Sequence, residues 1–133
     1  MSTDLYSVVV EKFAGSHYIS KFERKYHRHW DVTLRALTEL FKRIKSTLGT
    51  DKVVEIICDK RGIKICKAEF RIAGPGKSKH SSGNRAIIAV DASTEVVRVL
   101  LVYSKIDLKG AGSETAKWQR VIKANYPEYR DLF

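Results

Sequence analysis

The spacing of apolar residues changes twice along this chain of 133 residues. A β-branched run, "LYSVVVEKF", predicts an opening strand, and Gly15-Ser16 after it is suited to turn the chain and cap a helix. From there apolar residues recur at helical spacing: Ile19, Phe22, Tyr26 and Trp30, then Leu34, Leu37, Phe41, Ile44 and Leu48. This predicts one long helix or a helical hairpin. The break is placed at "HWDVT", where Asp31 is an N-cap residue type, and Gly49 is placed as the closing C-cap. Beyond Gly49 the period becomes that of strands. "KVVEIICD" and "IKICKAEFRIA" flank "KRG", and "NRAIIAVDA" and "VVRVLLVYSKI" flank the turn-like "STE". In the tail "SETAKWQRVIKANY", Ser113 is an N-cap and Trp118, Val121 and Ile122 form an apolar stripe that ends before Pro127. The short connections favour antiparallel pairing. The expected fold is α+β over 1–133 as a single domain: an N-terminal strand and helical hairpin on a mainly antiparallel sheet of about four strands, with a C-terminal helix.

The segment "FRIAGPGKSKHSSGNRAIIAV" poses the first chemical question, because Gly76-Lys77-Ser78 looks like the end of a nucleotide-binding loop. Such a loop needs a glycine five positions before Gly76 and must open directly into a helix. Arg71 stands where that glycine belongs, and "NRAIIAVD" reads as a strand. A nucleotide site is therefore rejected, and a glycine- and serine-rich loop carrying Lys77, Lys79 and His80 remains.

Charge then changes the picture. The chain carries 25 Lys and Arg against 15 Asp and Glu, a formal net charge of +10. Such an imbalance speaks of partners rather than of fold: nucleic acid, an anionic membrane surface or an acidic protein. Between Lys60 and Arg85 the basic residues are Lys60, Arg61, Lys64, Lys67, Arg71, Lys77, Lys79 and Arg85, against Glu69 alone. A local excess of this kind is the footprint of phosphate-backbone binding. No apolar run reaches the ~18 residues of a membrane span, and the acid near the start of "MSTDLYSVVVEKFAG" is unlike a signal peptide, so a cytoplasmic protein is expected. Cys58 and Cys66 are too few for a disulfide framework or a metal site, and His27 and His29 are two apart and point in different directions on a helix. No metal and no cofactor is expected.

Strand alternation sharpens the basic segment. Along "CKAEFRI", Cys66, Ala68, Phe70 and Ile72 point one way and Lys67, Glu69 and Arg71 the other, so one side is core and the other a charged, open face. Tyr103 and Lys105 share a side of the last strand. With Arg85 facing the same way, Lys67, Arg71, Arg85, Tyr103 and Lys105 meet on one cationic surface, suited to an RNA strand whose bases stack and whose phosphates are neutralised.

"KAEFRIAGPGKSKHSSGNRAIIAV" followed by "VVRVLLVYSKIDL" resembles the C-terminal half of the RelE/ParE superfamily of type II toxins. The resemblance covers roughly 63–108 and rests on the order of short motifs: Lys67 to Arg71, Gly76-Lys77, Gly83-Asn84-Arg85, and Leu100 to Lys105. It implies a RelE-like fold. It also implies a toxin of a toxin-antitoxin system that cuts mRNA on the ribosome without a metal, with an acidic antitoxin as partner. By the resemblance Arg85 and Arg71 stabilise the phosphate, Lys67 lies on the same face, and Lys77, Lys79 and Lys105 hold mRNA or rRNA backbone. His80 is the candidate general acid or base, since imidazole titrates near neutral pH, and Tyr103 is placed to stack on a base. Members of the family that carry a His, Arg or Tyr after the last strand are matched here by Ile106, Asp107 and Leu108, which leaves Asp107, Tyr129 or Phe133 as substitutes. The same fold also implies a gyrase-inhibiting toxin as an alternative. The absence of those acid/base residues after Lys105 favours a third reading, a non-catalytic RNA-binding protein or inactive toxin relic.

Overall fold

In the computed structural model, residues 5–48, 54–72 and 83–133 are described. Their strands are β1 (Ser7–Val10), β2 (Val54–Lys60), β3 (Ile63–Phe70), β4 (Asn84–Asp91) and β5 (Val96–Ser104). They form one sheet in the order β1-β5-β4-β3-β2. β2 to β5 pair antiparallel, and β1 adds to the edge of β5 in parallel, Val8 opposite Val97. The fold is thus α+β as expected, with the opening strand inside the sheet as its fifth member.

The turn residues explain the hairpins. Arg61 and Gly62, at φ of 54° and 78°, make the two-residue turn between β2 and β3, and this backbone matches the twist of the flanking strands. Between Asp91 and Val96, the Asp91 carboxylate accepts hydrogen bonds from the Ser93 N–H (3.0 Å) and hydroxyl (2.7 Å) and so supports the second hairpin.

The helical region begins earlier and breaks elsewhere than the sequence predicts. α1 (Lys12–Ala14) runs straight into a π-helical turn (Gly15–Ile19) and α2 (Ser20–Tyr26). Gly15 has helical dihedrals, φ −62° and ψ −49°, so Gly15-Ser16 neither turns the chain nor caps it. The break falls at His27, with φ 49° and ψ −117°, between α2 and α3 (Arg28–Lys42). Asp31 is not an N-cap; it lies in the first turn of α3, where a carboxylate still complements the helix dipole. α4 (Ile44–Thr47) follows, and Gly49 lies outside the described residues.

Both faces of the sheet are covered. On one, Phe22, Trp30, Leu37, Phe41 and Ile44 of the helices pack on Cys66, Ala68, Phe70, Ala86 and Ile88. Trp30 is fully buried, stacked on Phe22 at 4.8 Å between ring centres. On the other, α5 (Glu114–Asn125) and a 3-10 tail (Pro127–Leu132) lay Trp118, Ile122, Tyr126, Tyr129 and Leu132 on Ile65, Ile87, Ala89 and Leu101. Ser113 caps α5, its hydroxyl accepting from the Ala116 N–H at 3.1 Å, as the sequence predicts. A bulge in β5 opposite Ile87 and Ile88 puts both Leu100 and Leu101 in this second core. The face beyond Lys67 is therefore not open along its length, because α5 closes it.

Neither cysteine is in a disulfide, and Cys66 is buried. Burial pushes the Cys66 thiol from 9.0 up to about 12, and burial likewise raises Tyr126, whose hydroxyl donates to the Leu100 carbonyl at 2.6 Å. These groups ionise more easily in the unfolded chain, so their contribution is full below about pH 9 and is lost as pH rises toward 12. Urea unfolding at about pH 10.5 is expected to show at least ~2 kcal/mol less stability than at about pH 8; an unchanged midpoint would contradict the burial of these groups. Among the described residues no helix is long and apolar enough to cross a membrane.

Candidate functional site

Three residues on adjacent strands form a row at one end of the sheet. Glu69 at the end of β3 stands opposite Arg85 at the start of β4, and Arg85 stands opposite Tyr103 at the end of β5. All three face α5, because alternation places them with Ile65, Ile87 and Leu101. Glu114, the first residue of α5, completes the group. Its carboxylate lies 3.5 Å from Arg85 Nε and accepts the Tyr103 hydroxyl hydrogen at 2.6 Å. Glu69 is 3.9 Å from Arg85 Nη2, and Nη1 donates to the Asn84 carbonyl at 3.2 Å.

The approach to α5 has its own local logic. Gly110 has φ +107°, and a Cβ there would lie 2.5 Å from Arg120 Nη1. Arg120 in turn donates to the Ala111 carbonyl at 2.9 Å; its guanidinium could swing away from a Cβ, so it is the positive φ that favours glycine at this position. The Ser113 cap then fixes where α5 starts, and with it where Glu114 points.

The Arg85 side chain is only 3% exposed, whereas those of Glu69 and Glu114 are 24% exposed. One guanidinium thus serves two carboxylates, and the centre of the group is not the cationic surface that strand alternation suggests. Tyr103 is fully buried, so its ring is not presented for base stacking in this arrangement. Burial, and then the bond to Glu114, push its phenol above the ordinary range and keep it a hydrogen-bond donor at neutral pH.

The other expected residues sit around this centre. Lys67 is one row further into the sheet, opposite Ile87, with Nζ 4.0 Å from Glu55 of β2. Arg71 follows β3 and is exposed. Lys105 opens a 3-10 turn (Lys105–Asp107); its N–H donates to the Gly83 carbonyl at 2.8 Å, and its side chain passes beside Gly83. Lys77, Lys79 and His80 lie outside the described residues. The C-terminal substitutes are not brought to the site. Tyr129 accepts from Arg98 Nη1 at 3.1 Å, five residues back along β5 from Tyr103, and Phe133 packs edge-on against Trp118.

Two members of the group carry no role in the sequence reading. Alternation puts Glu69 on the side of Lys67 and Arg71, but only register makes it the partner of Arg85. Glu114 follows the Ser113 cap, a signal for a helix start and not for a site. Among the described residues, no group of three or more His, Cys, Asp or Glu side chains is gathered as a metal site.

No protein-family model matches the chain, and no curated protein matches it. Among solved structures it is similar to a chain of the crystal structure of the archaeal RelE–RelB complex from Pyrococcus horikoshii OT3, at 15% identity and a TM-score of 0.49, over 75% of this chain and 94% of that chain.

Proposed function

We propose that this protein is the toxin of a toxin-antitoxin pair, a metal-independent endoribonuclease that cuts mRNA on the ribosome. The observation that carries the reading is the row Glu69–Arg85–Tyr103, with Arg85 fixed between carboxylates at the sheet end where Arg71 follows β3 and Lys105 follows β5, and with Lys67 one row further in. An arginine fork suits a phosphate with two parallel hydrogen bonds. In the reaction the ribose 2′-oxygen attacks phosphorus and its proton passes to the Glu69 carboxylate. The P–O5′ bond breaks and O5′ takes up a proton, with His80 as the proposed donor. The products are a 2′,3′-cyclic phosphate and a 5′-hydroxyl. Arg85 and Arg71 hold the charge that builds on the phosphorane, and Lys67, Lys77, Lys79 and Lys105 neutralise the flanking backbone. Because Glu114 occupies Arg85, a phosphate reaches the guanidinium only when the first turn of α5 moves aside. The net charge of +10 suits an acidic antitoxin as the partner and an anionic ribosome as the target.

A second reading is favoured by the burial of Arg85: a non-catalytic RNA-binding protein in which the Arg85 cluster only fastens α5 to the sheet. Controlled expression in bacteria, with growth followed and mRNA 5′ ends mapped, separates the two. The wild type is expected to arrest growth and leave new 5′-hydroxyl ends in translated frames, and Glu69→Gln to lower cleavage by about 10²- to 10⁴-fold. Arrest with intact mRNA would point to gyrase or another target, and no arrest would leave the binding reading.

A further inference from the structure

α2 and the first turn of α3 form a basic apex on the helical face of the sheet, opposite the face that carries the Arg85 row. Lys21, Arg24, Lys25, His27, Arg28 and His29 are all exposed, with Glu23 the only acid between Ser20 and Trp30. Among the described residues Lys42, Arg61, Lys64, Lys67, Arg85 and Arg98 stand in ion pairs, whereas scattered residues such as Lys12, Arg35, Lys109, Lys117 and Arg130 do not, and neither do Lys21, Arg24, Lys25 and Arg28. What distinguishes the apex is that its cations follow closely on one another across one bend. The ammonium groups of Lys21 and Lys25 lie instead over the rings of Tyr18 (5.8 Å) and Tyr26 (5.3 Å).

Two further observations set this apex apart from an ordinary solvated helix face. His27 holds φ 49° and ψ −117°, a backbone that glycine would adopt without strain, and strain kept at a bend is characteristic of functional positions. Lys21 and Lys25 also line a cleft between α2 and the end of β5, together with Phe22, Tyr26, Ser104 and Asp107. Ser104 pairs with Asn84, the residue before Arg85. The cleft therefore lies at the same end of the sheet as Arg85 but on the helical face, with Asp107 as its one carboxylate.

We infer that this apex is a second RNA-binding surface, which takes the sugar-phosphate backbone of a folded RNA through Lys21, Arg24, Lys25 and Arg28. It rests on the RNA reading above for the class of ligand, and on no step of cleavage. Protein partners are bound through an apolar centre with a polar rim, and Val32 is the only large exposed hydrophobic residue of α2 and α3. A membrane surface needs apolar anchors on the opposite side of a basic helix, and here Phe22 and Trp30 are committed to the core. A phosphate backbone needs only the cations.

The test is the binding of a fluorescein-labelled RNA stem-loop, followed by anisotropy from about 50 to 200 mM KCl. Wild type is compared with a variant carrying Lys21→Ala, Arg24→Ala, Lys25→Ala and Arg28→Ala, and with an Arg71→Ala, Lys105→Ala variant. Circular dichroism and Tm report whether each is folded. The four-site variant is expected to keep its Tm, to lose at least about tenfold in affinity at the lowest salt, and to lower the slope of log K against log salt by about three. Unchanged affinity and slope in that folded variant, with loss in the Arg71, Lys105 variant, would overturn the inference and leave the RNA reading standing. A wild type without affinity for the stem-loop would sink both. Loss of poly-glutamate binding with RNA binding intact would reassign the apex to an acidic protein.

Discussion

Arg85→Ala is expected to lower the unfolding free energy by about 3 kcal/mol and, if the chain is the ribonuclease proposed above, to lower RNA cleavage by at least about 10²-fold. The stability loss follows from what stays behind. Glu69 and Glu114 would lose the guanidinium they share at the start of α5, and Tyr103 would still hold Glu114 in place at 2.6 Å. Removing one partner of a buried charge group costs ~3–5 kcal/mol. The low end applies because each carboxylate is about a quarter exposed. Adding Glu114→Gln is expected to restore part of this stability, because the amide oxygen still accepts from Tyr103 and one uncompensated charge is gone. Cleavage is not expected to return, since loss of one preorganised charge donor costs about 10²- to 10³-fold by itself. The two measurements are urea unfolding followed by tryptophan fluorescence and mapping of mRNA ends. An Arg85→Ala protein as stable as wild type would mean that the ion pairs contribute little. A double variant that cuts RNA would remove Arg85 from the chemistry.

Trp118→Ala is expected to lower stability by about 3–5 kcal/mol and to free α5 from the sheet. Trp118 is fully buried among Ile65, Ile87, Leu101 and Ile122, with Phe133 edge-on at 5.7 Å. α5 has 12 residues, a length at which an isolated helix is marginal, so its packing and not its propensity holds it. Trp118→Phe is expected to cost much less. It keeps an aromatic ring and removes an indole N–H that makes no hydrogen bond among the described residues. Thermal unfolding of the two variants, with Trp30 as the remaining fluorophore, gives the comparison. Equal losses would mean that the indole makes a specific contact rather than filling volume. Since Glu114 begins the same helix, loosening α5 is also expected to open the Arg85 group to solvent.

What could be read from the chain was local. Strand alternation in "CKAEFRI" assigned Cys66, Ala68 and Phe70 to the core, and helical spacing did the same for Phe22, Trp30, Leu37 and Phe41. The Arg61-Gly62 turn and the Ser113 cap were legible because a side chain or a missing Cβ acts within a few residues of itself. The helix break was not. Asp31 has the right chemistry for a cap, but Phe22 and Trp30 on either side of the bend must stack in one core, and this puts the break at His27.

The candidate site divides along the same line. Composition and alternation brought Lys67, Arg71, Arg85, Tyr103 and Lys105 to one end of the sheet as residue types. Whether Arg85 is exposed or buried depends on its register opposite Glu69 and Tyr103, and on a helix that begins 29 residues later in the chain laying Glu114 on top of it. Side-chain periodicity is a property of each strand alone, so the sequence by itself determined which residues share a face. Which strands become neighbours, and what covers them, is settled by packing between distant segments, and only the tertiary structure decided that the central arginine is held between two carboxylates.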